Sequence, residues 1–146
     1  MSKYLISISS TIKCDDDTSS VELKTVGNFR IVNGKCVLAY TELQEDGSGS
    51  IDTIIRAEEN CVRIIRKTDE TSELLIQLHQ KNLCRYNTDY GFIMIGVYCT
   101  DIDNRLNESG GILTMKYTLD VNSSVLSHNE VIIKVREVNS DVKNSK

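Results

Sequence analysis

Hydrophobic and polar residues alternate along most of the chain, with the period of two that is typical of β-strands with one buried face. The clearest alternation spans residues 29–43, where Asn33-Gly34 separates two such runs. Asn-Gly in this setting favours a two-residue type I′ turn, which fixes the register of the hairpin. The inward face predicted by this register carries Phe29, Ile31, Cys36, Leu38, Tyr40 and Glu42.

A second hairpin is predicted around Glu59-Asn60, read as a two-residue loop. This loop places Arg56 opposite Arg63, and like charges directly opposite each other must face water. A slip of one residue would bury both arginines and Asp52, so the register is strongly determined. The inward face is then formed by Ile51, Thr53, Ile55, Ala57, Val62, Ile64 and Arg66.

Other stretches predict further strands, with two interruptions. Gly27 is expected to end a strand that begins at Val21, and 101–111 is expected to be a loop. Phe92–Cys99 is apolar on both faces, as in a strand covered on two sides, and Gly96 suggests a kink at a barrel corner. The remaining inward positions are Ile6, Ile8, Ile12, Leu74, Ile76, Leu78, Leu113, Met115, Tyr117, Leu119, Val121, Val131, Ile133 and Val135.

About ten strands without helical periodicity predict one all-β domain, a single closed antiparallel meander barrel over residues 1–138. Pairing of the last strand with the first would remove the exposed edges. The lack of proline fits this prediction, because proline cannot donate to a ladder. Residues 139–146 have no apolar pattern and are predicted to be a disordered tail.

Composition narrows the classes of function. The chain has 17 basic and 21 acidic residues and a net charge of −4, which argues against nucleic acid as a partner. No stretch is long enough to span a membrane, and the N-terminus is not of signal-peptide type. Five cysteines without a CxxC pair suggest neither a disulfide framework nor a metal site. We therefore expect reduced thiols in the cytoplasm, no cofactor and no membrane partner.

One group of polar residues is the candidate site. Glu42, Thr53 and Arg66 face inward near one end of the barrel, and the alternating residues after Arg85 return to that end if neighbouring strands are antiparallel. Arg66 could bind a ligand carboxylate or phosphate, or Glu42 could simply neutralise Arg66 and close the barrel. The candidate ligand-binding residues are Arg66, Glu42, Tyr86, Thr88, Tyr90 and Thr53.

Several motifs together resemble one known family. Tyr86-Asn87-Thr88-Asp89-Tyr90-Gly91, followed by Ile93, Ile95 and Gly96, resembles the YwiB-like family of small bacterial proteins, a domain of unknown function. Tyr40-Thr41-Glu42, Arg66, Gly110-Gly111 and His128-Asn129-Glu130 fit the same pattern, whereas Asp69 and Glu70 stand where the family tends to have a glycine turn. The resemblance implies a calycin, or lipocalin-like, barrel and implies no activity.

Three classes of function stay open on the sequence. A barrel that binds a small, possibly anionic molecule is favoured, and a structural or protein-interaction barrel without such a ligand is the alternative. An enzyme is less favoured, because no inward histidine is evident and Glu42 facing Arg66 would stay ionised, which suits a general acid poorly. The sequence is compatible with a protein partner and does not determine the oligomeric state.

Overall fold

The computed structural model describes residues 3–43, 47, 49–68, 71–88 and 90–138, with only the backbone described at 87 and 88. These residues form ten strands and no helix, which confirms the predicted all-β fold. No helix in this part of the chain could cross a membrane. The strands are β1 (Lys3–Cys14), β2 (Asp17–Val32), β3 (Lys35–Leu43), β4 (Ser50–Ala57), β5 (Cys61–Lys67), β6 (Thr71–Gln77), β7 (Lys81–Thr88), β8 (Gly91–Asn107), β9 (Gly110–Val121) and β10 (Ser124–Val138).

The ten described strands form one sheet that curls into a nearly closed barrel. Their order is β6-β5-β4-β3-β2-β1-β10-β9-β8-β7, so strands that are neighbours in sequence are neighbours in the sheet, except β6 and β7, which form its two ends. The first strand pairs antiparallel with the last, from Lys3 opposite Val138 to Lys13 opposite His128. The predicted meander and the pairing of its first and last strands are therefore confirmed, and the sheet keeps two ends, β6 and β7.

The two ends of the sheet, β6 and β7, face each other along a gap that we call the seam. Within the described strands the seam has no ladder, although the Leu75 amide donates to Cys84 Sγ at 3.4 Å. Beyond β6 the gap is bridged, because the His79 amide donates to the Cys99 carbonyl of β8 at 2.8 Å. The Leu78 amide donates to the Asn60 carbonyl at 2.9 Å, which holds this segment to the β5 side. The seam is thus held at one end and lacks pairing toward the other.

The two predicted hairpin registers are confirmed. Phe29 lies opposite Leu38, with Asn33 and Gly34 at φ 52° and 79° in the turn between them. Arg56 lies opposite Arg63, and both side chains are exposed. The inward faces build one apolar core, whose fully buried members include Ile6, Leu38, Ile55, Val62, Ile76, Val97, Leu113, Met115 and Ile133.

Two strands are longer than predicted. Strand β2 continues through Gly27, where it changes partner from β1 to β3. A Cβ at Gly27 would overlap the carbonyl oxygen of Ala39, so this residue allows the tight corner of the barrel. The predicted loop 101–111 is also wrong: β8 extends to Asn107, because Ile102 and Leu106 continue the alternation beyond a β-bulge between Cys99 and Asp101.

Gly96 has a role other than the predicted kink. It lies in regular register opposite Leu83 and Asp120, and a Cβ there would lie 2.5 Å from Lys81 Cε and 2.6 Å from Asp120 Oδ2. The absent side chain leaves room for Lys81 to cross the outer face and pair with Asp120, at 3.1 Å between Nζ and Oδ2. The expectation that both faces of β8 are covered is wrong, since Phe92, Met94 and Tyr98 are exposed.

The described strands, from Lys3 to Val138, form one barrel. The predicted disordered tail, 139–146, lies outside the described residues. The calycin assignment is compatible with this topology and stays a prediction.

Candidate functional site

The candidate residues gather at one end of the barrel, which we call the mouth. Because neighbouring strands are antiparallel, the β3–β4, β5–β6 and β7–β8 connections all lie at this end. Glu42, Arg66 and Tyr86 each lie near the end of a strand that leads into one of these connections. The topology therefore brings together three residues that are far apart in the sequence.

Inside the mouth lies a cavity of about 310 Å³, here called the mouth cavity. Its walls are mostly aliphatic and come from β1, β2, β3, β4, β5, β9 and β10. An apolar wall with a few converging polar groups is the usual composition of a small-molecule site. The polar side chains that line the cavity are Ser10, Tyr40, Glu42, Thr53, Arg66 and Tyr117.

Glu42 and Arg66 form an ion pair at the mouth, with Oε1 and Nη2 3.5 Å apart. The predicted pairing is confirmed, but the pair is not buried: the glutamate side chain is 29% exposed and the arginine side chain 50%. An exposed ion pair of this kind stabilises a fold by about 0–1 kcal/mol. The barrel thus gains little stability from a charged pair that it keeps at the edge of a cavity.

Thr53 is the most unusual residue of the mouth cavity. It lies opposite Tyr40 and Arg66 on the neighbouring strands and is 2% exposed. Its Oγ1 is buried and has no hydrogen-bond partner within the described ranges. A buried hydroxyl without a partner costs about 1–3 kcal/mol, so such groups are rare in native structures.

Burial raises the pKa of Tyr40, and the Glu42 carboxylate raises it further. Thr53 and Arg66 lower the pKa of Tyr40 by smaller amounts. Thr53 lies close enough to the Tyr40 hydroxyl to lower its pKa, but the contact does not meet hydrogen-bond geometry. Thr53 Oγ1 is therefore left unpaired among the described residues. The Tyr40 hydroxyl therefore stays protonated at neutral pH and can act as a donor.

Tyr117, from β9, is the second tyrosine of the mouth cavity. Burial raises its pKa to about 12, with a smaller contribution from the Cys99 thiol. Beside it lie two buried polar residues of β10: Asn129 Nδ2 donates to Ser127 Oγ at 3.0 Å and to the Tyr117 carbonyl at 3.4 Å. The sequence interpretation missed Ser127 and Asn129 as interior residues, although the odd-numbered pattern of Val131, Ile133 and Val135 extends back to both.

A smaller cleft of about 180 Å³ lies in the seam and is called the seam cleft. Ile64 and Arg66 line both the seam cleft and the mouth cavity, whereas Tyr86 lines the seam cleft alone. Tyr90 is fully exposed, and the side chain of Thr88 lies outside the described residues. The structure therefore brings Glu42, Thr53 and Arg66 together and places Tyr86 beside Arg66, whereas Tyr90 lines neither cavity.

The described residues contain no group of three or more His, Cys, Asp or Glu side chains that could hold a metal ion. His79 is exposed on the surface. The polar groups available at the mouth are thus one guanidinium, one carboxylate and several hydroxyls, a set suited to binding rather than to metal chemistry.

Comparison with protein families assigns the chain to one of them. The model of a domain of unknown function, DUF1934, matches residues 6–133. The chain belongs to the DUF1934 family. The resemblance carried by the tyrosine motif is thereby confirmed, and the family description names no activity.

Two comparisons agree with this family. The uncharacterized beta-barrel protein YwiB of Bacillus subtilis (strain 168) is 22% identical over 114 residues, covering 78% of this chain and 79% of YwiB. The crystal structure of the ywiB protein from Bacillus subtilis matches with a TM-score of 0.83 and 18% identity, over 94% of this chain and 93% of that one. At this level of identity the likeness establishes the fold of the DUF1934 barrel.

Proposed function

We propose that this barrel binds a small anionic molecule, a carboxylate or a phosphate, in the mouth cavity. The observation that carries the proposal is Thr53, a residue of the cavity wall whose buried hydroxyl has no hydrogen-bond partner in the described chain. A ligand oxygen placed there would accept this hydrogen bond and remove the cost of the unpaired group. Arg66 lies opposite Thr53 on the neighbouring strand and would supply the positive charge.

The ion pair at the mouth supports an exchange of partners on Arg66. Glu42 contacts the guanidinium through one oxygen at 3.5 Å, and both side chains are partly exposed to solvent. A carboxylate or phosphate can form two parallel hydrogen bonds with a guanidinium, which is a stronger arrangement than a single contact. The ligand anion would therefore displace Glu42, and the protonated hydroxyls of Tyr40 and Tyr117 would add further donors.

The size and walls of the cavity limit the ligand. A volume of about 310 Å³ is at the lower end of the range of roughly 300–1,000 Å³ for small-molecule pockets. The walls around Ile8, Leu23 and Ile133 are aliphatic, so they would contact an apolar part of the ligand. We infer a compact molecule with one anionic group and an apolar body.

A thermal-shift experiment tests the proposal. Wild-type protein would be screened against phosphate and small aliphatic and aromatic carboxylates, beside Arg66→Met, the double variant Glu42→Met/Arg66→Met, and Thr53→Val. The matched control is Arg56→Met, because Arg56 is an exposed arginine that faces outward on β4. Binding at 100 times the Kd would stabilise the folded state by about 2.7 kcal/mol.

The expected result is an anion that raises the Tm of wild type and of Arg56→Met but leaves that of both Arg66 variants unchanged. Thr53→Val should show a smaller shift than wild type. If no anion raises the Tm of wild type, or if Arg66→Met responds equally, the proposal fails. The alternative, a structural or protein-interaction barrel without a small ligand, would then stand.

We also infer that the protein works in the reducing cytoplasm. The five cysteines are free, and Cys36, Cys84 and Cys99 are buried in the core, a placement that suits thiols which are never oxidised. Cell fractionation with an antibody against the chain would test this location, and recovery from an oxidising compartment would contradict it.

A further inference from the structure

Exposed apolar side chains concentrate on one hairpin of the barrel, formed by β7 and the first half of β8. Among the residues that the structure describes, fourteen large hydrophobic side chains are exposed, and seven of them lie between Leu83 and Tyr98. Phe92, Ile93 and Met94 are 52%, 42% and 43% exposed. A cluster of this kind on a folded domain usually marks an interaction surface.

The same residues form an unpaired strand edge. Pairing of β8 with β9 begins at Gly96 opposite Asp120, so the segment 92–95 pairs with β7 alone in the described sheet. On its other side the backbone amides and carbonyls of this segment have no ladder partner among the described strands. Such an edge is a template on which another strand can pair.

This edge has none of the features that protect the edges of monomeric sheets. The segment Phe92-Ile93-Met94-Ile95 carries no charge and no proline, and the bulge of β8 lies farther along, between Cys99 and Asp101. Native edges are usually blocked by charges, prolines or bulges because free apolar edges aggregate.

We propose that a second copy of this chain covers the hairpin, through antiparallel pairing of the two β8 edges about a two-fold axis at Ile93. Residues that face each other in an antiparallel pair lie on the same side of the sheet, and this register satisfies that condition. Phe92 lies opposite the partner's Met94 on the outer face, and Ile93 lies opposite the partner's Ile93 on the inner face. The edge is thus complementary to itself, and a two-fold pair closes without leaving a further edge of β8 free.

The charges on the hairpin allow this arrangement. Arg85 lies on β7 opposite Met94, and its guanidinium stacks on the Phe92 ring at 3.9 Å from the centroid. In the paired sheet the two arginines would be separated by three strand spacings, or about 14 Å. This exceeds the Debye length of about 8 Å at physiological ionic strength, so their repulsion is largely screened.

Sedimentation equilibrium of the full chain tests the proposal, over a concentration series from micromolar to millimolar. Wild type should be a dimer, and Met94→Lys and Phe92→Lys should raise the dimer Kd about 100-fold or more, because each introduces a charge at an apolar contact. Val26→Lys is the matched control: Val26 is 54% exposed on β2, away from the hairpin, and its variant should dimerise like wild type. Circular dichroism and the Tm of each variant show whether it is folded.

Hydrogen exchange provides a second measurement that does not depend on a variant. The amides of the segment 92–95 that point away from β7 should gain protection as the protein concentration rises through the Kd, whereas the amides of β4 should not change. A wild-type protein that stays monomeric at millimolar concentration would overturn the proposal, as would a Met94→Lys variant that is folded and still dimeric. Association with a different protein by a monomeric chain would likewise overturn it.

Discussion

At the scale of single residues, burial decides what the Glu42–Arg66 pair contributes to stability. A buried pair that loses one partner costs about 3–5 kcal/mol, because a carboxylate is left uncompensated in the core. Here the carboxylate that would be left behind, that of Glu42, is 29% exposed and reaches solvent, so a cost of that size is not expected. The pair therefore contributes little to holding the barrel closed.

Arg66→Met is thus expected to lower the free energy of unfolding by no more than about 1 kcal/mol. Ile55→Ala, on the neighbouring strand, should lower it by about 2–5 kcal/mol, since Ile55 is 2% exposed and its truncation leaves a cavity. Urea denaturation of both variants measures the difference. A loss of 3 kcal/mol or more in Arg66→Met would show that the pair is structural after all.

Thr53→Val should stabilise the unliganded protein. The valine keeps the shape of the side chain and removes the buried hydroxyl that has no hydrogen-bond partner within the described ranges. Because an unpaired buried hydroxyl costs about 1–3 kcal/mol, we expect the free energy of unfolding to rise by about 1 kcal/mol. A clear loss of stability in urea denaturation would mean that Thr53 Oγ1 has a partner in solution.

Tyr117 makes the stability of the folded state depend on pH in the alkaline range. Its pKa is raised from 10.0 to about 12, so the folded state holds the phenol proton more tightly than the unfolded state. The stability linked to this group is fully present below pH 10 and is lost as pH rises toward 12. Tyr117→Phe should flatten that part of the stability curve, and ultraviolet titration of wild type should show a phenol that ionises near pH 12 and is absent from the titration of Tyr117→Phe. Identical stability curves for the two proteins above pH 10 would contradict the assignment.

At the scale of strands, two glycines permit close contacts of different kinds. A methyl group at Gly27 would meet the backbone of Ala39, whereas one at Gly96 would meet the side chains of Lys81 and Asp120. Backbone cannot move aside without breaking the ladder between β2 and β3, but a lysine side chain can rotate away. We therefore expect Gly27→Ala to cost about 1–3 kcal/mol in urea denaturation and Gly96→Ala to cost less. A larger cost for Gly96→Ala than for Gly27→Ala would show that the backbone at the Gly27 corner can shift to accommodate a methyl group.

The strands also show which parts of the structure could be predicted from sequence. Turn chemistry and the repulsion of Arg56 and Arg63 determined the registers of two hairpins, and those registers placed Glu42, Thr53 and Arg66 at one end. The interpretation failed where one signal has two physical causes. A glycine can end a strand or allow a corner, and a polar residue such as Asn129 can lie in the interior if its amide finds acceptors. The cavity beside Thr53 depends on the curvature of the whole sheet, which no local pattern encodes.

At the scale of the whole molecule, nine ladders join the described strands and one boundary lacks a ladder. That boundary, the seam, lies beside Arg66 and contains the smaller cleft. It also adjoins the hairpin on which we place the dimer contact. Because local stability follows the density of backbone pairing, the seam should open at a lower free energy than the rest of the barrel.

Thiol labelling can measure that opening. Cys84 lies at the seam and accepts the Leu75 amide, whereas Cys36 lies on β3 between two complete ladders and is 4% exposed. Burial raises the pKa of Cys36, so each labelling rate should be divided by the rate for the same thiol in the unfolded chain.

Exposed Cys14 should react at once, Cys84 through partial opening of the seam, and Cys36 only through global unfolding. Peptide mapping by mass spectrometry would report the three rates in low denaturant. Equal normalised rates for Cys84 and Cys36 would mean that the barrel unfolds as one unit and that its missing ladder creates no weak point.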